Sequence, residues 1–264
     1  MKSHLRSRQM RNASQRGFSL VELMIALLLG LILIMGVMQI FLASKQTYSV
    51  QQSVATMQED ARFVLSRISS ELRQVGMFGC LDIDRLPLSI RNQIPPAFAN
   101  PVSFQNGVLT IITADIAVGN VTAGTSLTAA GLGAGWLLVS DCIADLRIDA
   151  GDGVTVSAGD LIIPVRQLEY RLADHALRTR VNGVGNFETL IEGVSGFDVQ
   201  FGLAATPADV HVSGAYVTDP AGMESRVRSV RLALQLAEDP SDPDAGSVRT
   251  QDFTLVAALR NRLD

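Results

Sequence analysis

Proline is missing from the first 86 residues of this 264-residue chain, and no charge lies between Leu23 and Ala43. The first absence removes the commonest helix breaker from almost a third of the sequence. The second excludes an ordinary solvated helix there, because such a helix keeps a polar face. Acids are missing from residues 1–17, which hold Lys2, Arg6, Arg8, Arg11 and Arg16. Without those five, 17 basic residues stand against 26 acidic ones, a net charge near −9. A body that acidic lacks the electrostatic footprint of a nucleic-acid binder.

Chemistry-bearing residues are also scarce. Histidine is confined to His4, His175 and His211, none with a Cys or His at ligand spacing, which makes surface histidine the default. Gly193-Val194-Ser195-Gly196 lacks the residue that a nucleophile elbow places between serine and the second glycine. Gly131-Leu132-Gly133-Ala134-Gly135 has no helix or later acid to make it a dinucleotide fingerprint. Arg226, Arg228 and Arg231 read as one solvated strand face. Two acidic stretches, Asp149–Gly153 and Asp239–Asp244, cluster oxygens as calcium requires. Phe253 stands where an EF-hand needs its bidentate acid, so ordinary turns are the reading for both. No catalytic set, no metal and no cofactor is expected.

What the chain does have is a 25-residue apolar stretch, Phe18–Leu42. As a helix it spans roughly 37 Å, enough to cross a bilayer. The basic flank on one side only predicts a cytoplasmic N-terminus, with the rest of the chain outside the inner membrane. One residue resists this picture. Glu22 sits near the start of the apolar stretch, where an unpaired carboxylate costs about 2.5–3.5 kcal/mol at full membrane depth. A cleaved secretory signal would put Phe41 at −3, a poor fit, and an uncleaved anchor leaves Glu22 unexplained. A plainer account of Glu22 is the dipole at the helix N-terminus. It gives no reason for the Gly-Phe that precedes it.

The sequence Arg16-Gly17-Phe18-Ser19-Leu20-Val21-Glu22-Leu23, between a basic leader and the apolar helix, resembles the class III signal of type IV pilins and pseudopilins. The resemblance implies cleavage between Gly17 and Phe18 by a prepilin peptidase and N-methylation of Phe18. It also implies a salt bridge from Glu22 to the Phe amine of a neighbouring subunit. The pairing is physically sensible, since an opposite charge relieves a carboxylate in apolar surroundings. The chain departs from major pilins at Gln39, where they often carry a proline.

Beyond Lys45 the pattern stays helical. Val50, Val54, Met57, Ala61, Val64, Ile68, Leu72 and Val75 keep three- and four-residue spacing, with polar residues between. One helix of about 55 residues, Phe18 to about Val75, is expected, stopped by Gly76 and Gly79. A folded head packed on the stripe is preferred to a free coiled coil. Residues 87–160 hold short strand-like runs, Val108–Thr113 and Trp136–Ser140. After 160 cleaner alternation marks antiparallel strands around Leu168, Tyr170 and Leu172, then Phe197–Leu203, Val230–Leu236 and Phe253–Leu259. Residues 237–247 form an exposed loop. In an oxidising compartment Cys80 and Cys142 invite a disulfide closing about 63 residues, the alternative being two buried thiols.

Further along, Glu59–Phe63, Glu71–Cys80, Ser140–Cys142, Leu168–Leu172 and Leu259–Arg262 resemble, in that order, the PilW family of type IV pilus assembly proteins. Residues 85–135 carry little of it. The resemblance implies a pilin-like α+β fold with four parts. These are a cleaved leader (1–17), a transmembrane and filament-core helix (18–43), its amphipathic continuation (44–78) and a periplasmic β head (79–264). It implies a non-enzymatic minor pilin in the inner membrane or at the pilus tip. Its partners would be other minor pilins, the major pilin, prepilin peptidase and a tip adhesin, in support of twitching motility. A minor pseudopilin of type II secretion uses the same helix logic. An anchored periplasmic enzyme is the reading from another class.

Overall fold

The computed structural model describes residues 17–83, 86–115, 121–143, 145–149, 151–242 and 250–262. The leader residues 1–16 and Asp244 therefore lie outside the described residues. By internal contacts the chain divides into two units, Met1–Gln51 and Gln52–Asp264.

A single helix, α1 (Leu20–Arg73, 54 residues), spans the boundary between the units. Its first half is long and apolar enough to cross a membrane, and none of the residues in its most apolar window is buried in the chain. Leu33, Val37 and Ile40 are all exposed. Its last third is different. Val50 and Val54 are half-buried, and from Met57 the expected stripe goes inside: Ala61, Val64, Ile68 and Leu72 are fully covered. The second unit therefore takes in α1 from Gln52 to Arg73.

The helix ends at Arg73, two residues before the expected Val75 and short of residue 78. The backbone beyond it is recruited by the sheet. Val75 bridges Thr113, the Gly76 N–H donates to the Ile112 carbonyl at 3.3 Å, and the Ala114 N–H donates to that of Met77 at 3.3 Å. Gly76 (φ +69°) and Gly79 (φ +65°) turn the chain in the left-handed region. A Cβ on Gly79 would lie 3.0 Å from both Ile163 Cδ1 and Leu161 Cδ2.

Besides the end of α1, the described residues of the second unit hold twelve strands, paired antiparallel. In chain order they are β1 (Val102–Gln105), β2 (Val108–Ala114), β3 (Ser126–Leu127), β4 (Trp136–Ser140), β5 (Leu146–Ile148) and β6 (Val154–Thr155). There follow β7 (Leu161–Ala173), β8 (Ala176–Val181), β9 (Glu188–Glu192), β10 (Val194–Leu203), β11 (Val227–Leu236) and β12 (Gln251–Ala258). The long β7 organises a seven-stranded sheet. One edge of β7 pairs with β2, while the other pairs with β4 through residues 161–165 and with β8 through residues 168–173. Asn106-Gly107 and Asp174-His175, all at positive φ, close the β1–β2 and β7–β8 hairpins. Positive φ at both central residues suits the twist of such hairpins. A second sheet runs β10–β11–β12, and β3 pairs with β6.

Around the strands the buried side chains gather in separate apolar clusters, one around Phe78 and Phe98 and another around Leu137, Val139 and Ile162. Phe78 stacks on Phe98 at 4.7 Å between ring centroids, and Phe98 meets Trp136 edge-on at 5.2 Å. Ile112, Leu138, Leu146, Ile163 and Val165 complete the first cluster. The long N-terminal helix followed by antiparallel sheets is the expected α+β architecture. One expected face is only partly covered: Phe253 and Leu255 of β12 are half-exposed, whereas Ala257 and Leu259 are buried. In the loop after β11, Ala237 is buried and Pro240 half-buried, whereas Glu238, Asp239, Ser241 and Asp242 are exposed; residues 243–249 lie outside the described residues.

Because Ile68 is wholly buried, Ile68→Ala should cost about 3 kcal/mol. Phe63→Ala, at a position 51% exposed, should cost about 0.5 kcal/mol or less. Chemical denaturation of the full chain in detergent reads the difference.

Candidate assembly site

Three sequence-predicted residues lie together at the start of α1. Gly17, Phe18 and Ser19 precede the helix, and the Leu23 N–H donates to the Ser19 carbonyl at 3.1 Å, closing the first turn. Ser19 is thus the cap position and Glu22 the third helical residue. That is the spacing of a capping box, a signal the sequence reading passed over. The box is not closed by side chains here. Glu22 is exposed and has no side-chain partner among the described residues. Its carboxylate still lies in the first turn, where the helix dipole favours negative charge.

The fold makes no demand on the residues before it. A Cβ at Gly17 would meet nothing within 4 Å, and Gly17 is not in the left-handed region. Phe18 is 86% exposed. Neither glycine nor an aromatic is needed at these positions for the chain to fold.

At the other end of α1, the head is fastened by polar contacts as well as by the apolar stripe. The Tyr170 hydroxyl of β7 donates to the Glu71 carboxylate. Arg67, one turn earlier, pairs with Glu71 at 3.5 Å. Burial pushes the Glu71 carboxyl above its ordinary value, with the Tyr170 and Arg67 contacts opposing it. Burial also pushes the Tyr170 phenol up, and the Glu71 charge adds to the effect. The Thr113 hydroxyl donates to the Gln74 carbonyl at 2.9 Å, and Asn261 Nδ2 donates to that of Gly76 at 2.6 Å.

Cys80 and Cys142 form a disulfide with 5.8 Å between their Cα atoms. It ties the segment leaving α1 to the turn after β4. Ser140 and Asp141 order that turn. The Ser140 hydroxyl donates to the Asp145 carbonyl at 2.7 Å, and Asp141 Oδ1 accepts the N–H groups of Ile143 and Asp145, each at 2.9 Å. On the chain-entropy account, closing a loop of this size contributes roughly 4 kcal/mol.

The remaining candidates separate. His175 lies in the β7–β8 turn and His211 in the β10–β11 connection, both exposed. The arginine trio is not a solvated face. Arg228 is buried and donates to the carbonyls of Asp209, Ser225 and Pro207 at 2.6–2.8 Å, clamping the β10–β11 connection. Arg226 Nε donates to the Ala204 carbonyl at 2.8 Å, and Arg231 lies over the Tyr216 ring at 4.8 Å. The Asp149 carboxylate accepts the N–H groups of Ala129, Gly151 and Gly153 at 2.7–2.9 Å, which holds its pKa below the usual range. A carboxylate occupied that way is a turn-former, as the sequence suggested. Asp239 accepts likewise from the Ser241 N–H at 3.0 Å.

Residues 12–38 match the family model described as the prokaryotic N-terminal methylation motif. The match takes in the leader's end, Gly17, Phe18, Glu22 and most of the apolar helix. Comparison with curated proteins gives no match. The motif marks a type IV pilin-like prepilin leader, carried by pilins and pseudopilins, and with the apolar helix it points to membrane anchoring.

The buried Glu71 gives a pH dependence with a definite sign. A carboxyl raised on folding binds protons more tightly in the folded state, so stability falls as pH rises from 4.5 through the raised value. Glu71→Gln keeps an acceptor for Tyr170 and removes the titration. Thermal unfolding followed from pH 4.5 to 7 should show a smaller decline in the variant than in the parent chain.

Proposed function

We propose that this chain is a minor pilin of the PilW type, which helps to start type IV pilus assembly with other minor pilins. The observation that carries the reading is that, among the described residues, the fold needs neither a glycine at 17 nor an aromatic at 18 and gives the Glu22 side chain no partner. Three residues at fixed spacing that the fold leaves without partners, inside a matched methylation motif, are accounted for by agents outside the chain.

Each then has a task. Gly17 admits the peptidase, which cuts before Phe18 on the cytoplasmic face. Cleavage exposes a cationic amine on Phe18, which is then N-methylated and keeps its charge. The helix, Phe18 to about residue 43, waits in the inner membrane with the head in the periplasm. When the subunit docks, its Glu22 meets the Phe18-type amine of a neighbour. An unpaired carboxylate in an apolar filament core is costly, so docking in any other axial register is penalised. The head presents its surface to other minor pilins, the major pilin or a tip adhesin. Proteins of this pilin-like kind are structural, and the chain's role is scaffold rather than catalyst.

Two substitutions separate processing from assembly. Gly17→Ala should leave the leader attached, seen as a heavier band on immunoblots. Glu22→Ala should be processed normally yet give few pili, and normal pilus numbers in that strain would refute the pairing. Deletion of the gene should abolish twitching motility while exoprotein secretion continues. The opposite pattern would assign the chain to a type II secretion pseudopilus.

A further inference from the structure

β12 is the outer strand of its sheet. Its ladder with β11 is unbroken over eight residue pairs from Ser229–Ala258 to Leu236–Gln251. Among the described residues nothing hydrogen-bonds to its other edge. Proteins usually blunt such an edge with lysine, proline, a bulge or a covering segment. β12 has none of the first three, and its one charge is Asp252.

A groove of about 700 Å³ runs between that strand and α1. Four consecutive β12 residues, Asp252 to Leu255, line it, so it follows the strand itself rather than one side-chain face. Leu65, Phe253 and Leu255 give it an apolar floor, and Ser66 and Ser70 give it hydroxyls. Arg62 and Arg73 stand at its rim, and Arg260 lines an adjoining hollow that shares Ser70 and Arg73. Among the described residues the side chains of these three arginines make no hydrogen bond, ion pair or ring contact. The last-turn position of Arg73 suits the helix dipole, but Arg62 and Arg260 have no such reason. In a body near −9, three unpaired arginines beside a bare strand edge form a distinct basic border.

We propose that β12 accepts an extended acidic segment of a partner polypeptide as a further antiparallel or parallel strand. Its backbone would pair with the open edge, and its side chains on one face would enter the groove. The spacing fixes the pattern. Arg62 and Arg73 are eleven residues apart on α1, about 16 Å of rise. Residues i and i+4 of a strand are about 14 Å apart on one face. The partner segment therefore carries acids four residues apart with an apolar residue midway between them, over Leu65 and Phe253. This inference does not depend on the pilus reading, since it concerns only the second unit's own surface.

The test uses the full chain in detergent micelles and a fluorescent seven-residue peptide. The peptide has threonine at its odd positions, glutamate at the second and sixth, and valine at the fourth. Anisotropy should report binding that weakens with salt and falls about tenfold in the Arg62→Glu, Arg73→Glu double variant. Both arginines are exposed and unpaired, and an unchanged melting temperature verifies the variant's fold. A lysine-for-glutamate peptide should not bind. N-methylating one alternate set of peptide amides should abolish binding, while methylating the other set should leave it intact. Absence of binding at millimolar peptide, equal binding of the lysine peptide, an unaffected double variant, or indifference to both methylation patterns would each overturn the proposal.

Discussion

The structure depends on one helix that has to satisfy two surroundings. Residues Leu20–Arg73 form a continuous helix, with no proline to divide it. Its first half is apolar on every side, so its backbone and side chains suit hydrocarbon. Its last third has one apolar stripe, which suits a protein core. The switch happens without a break in backbone hydrogen bonding, through side-chain choice alone. Val50 and Val54 are the transition, and from Met57 onward burial is complete along one face.

The head in turn is assembled on that last third. The apolar stripe is buried, and directional contacts fix the register. Glu71 and Tyr170 link helix to β7, while Thr113 and Gly76 take the backbone straight from helix into sheet. Gly79 takes a left-handed turn, φ +65°, against Leu161 and Ile163, where a Cβ would come within 3.0 Å of both side chains. The disulfide then holds the exit of the helix to the β4–β5 turn. Losing the helix would leave the buried Tyr170 hydroxyl of β7 without its Glu71 partner.

Much of this was legible in the residues. The absence of proline, the apolar run and the stripe from Val50 to Val75 gave the long helix within two residues at each end. Strict alternation gave Phe197–Leu203 and Val230–Leu236, and oxidising topology gave Cys80–Cys142. Legibility stopped where a residue's meaning depends on a distant partner. Glu71 reads as one more polar helix position, and only Tyr170, far away in sequence, makes it a buried acceptor. Arg228 alternates like a surface residue, yet the β10–β11 connection folds back over it. Phe253 and Leu255 alternate like core residues, but β12 is an edge and α1 leaves a groove beside it. At the start of α1 the motif was readable because all of its residues lie within a few positions of one another in sequence, inside the stretch that matches the methylation motif.

The most direct test of the account is the mass of the N-terminal peptide of the protein purified from its native membrane. The account requires a peptide that begins at N-methylated Phe18, which makes the partner amine for Glu22 real. A peptide that retains residues 1–17 in cells with active prepilin peptidase would contradict it and leave α1 a plain membrane anchor.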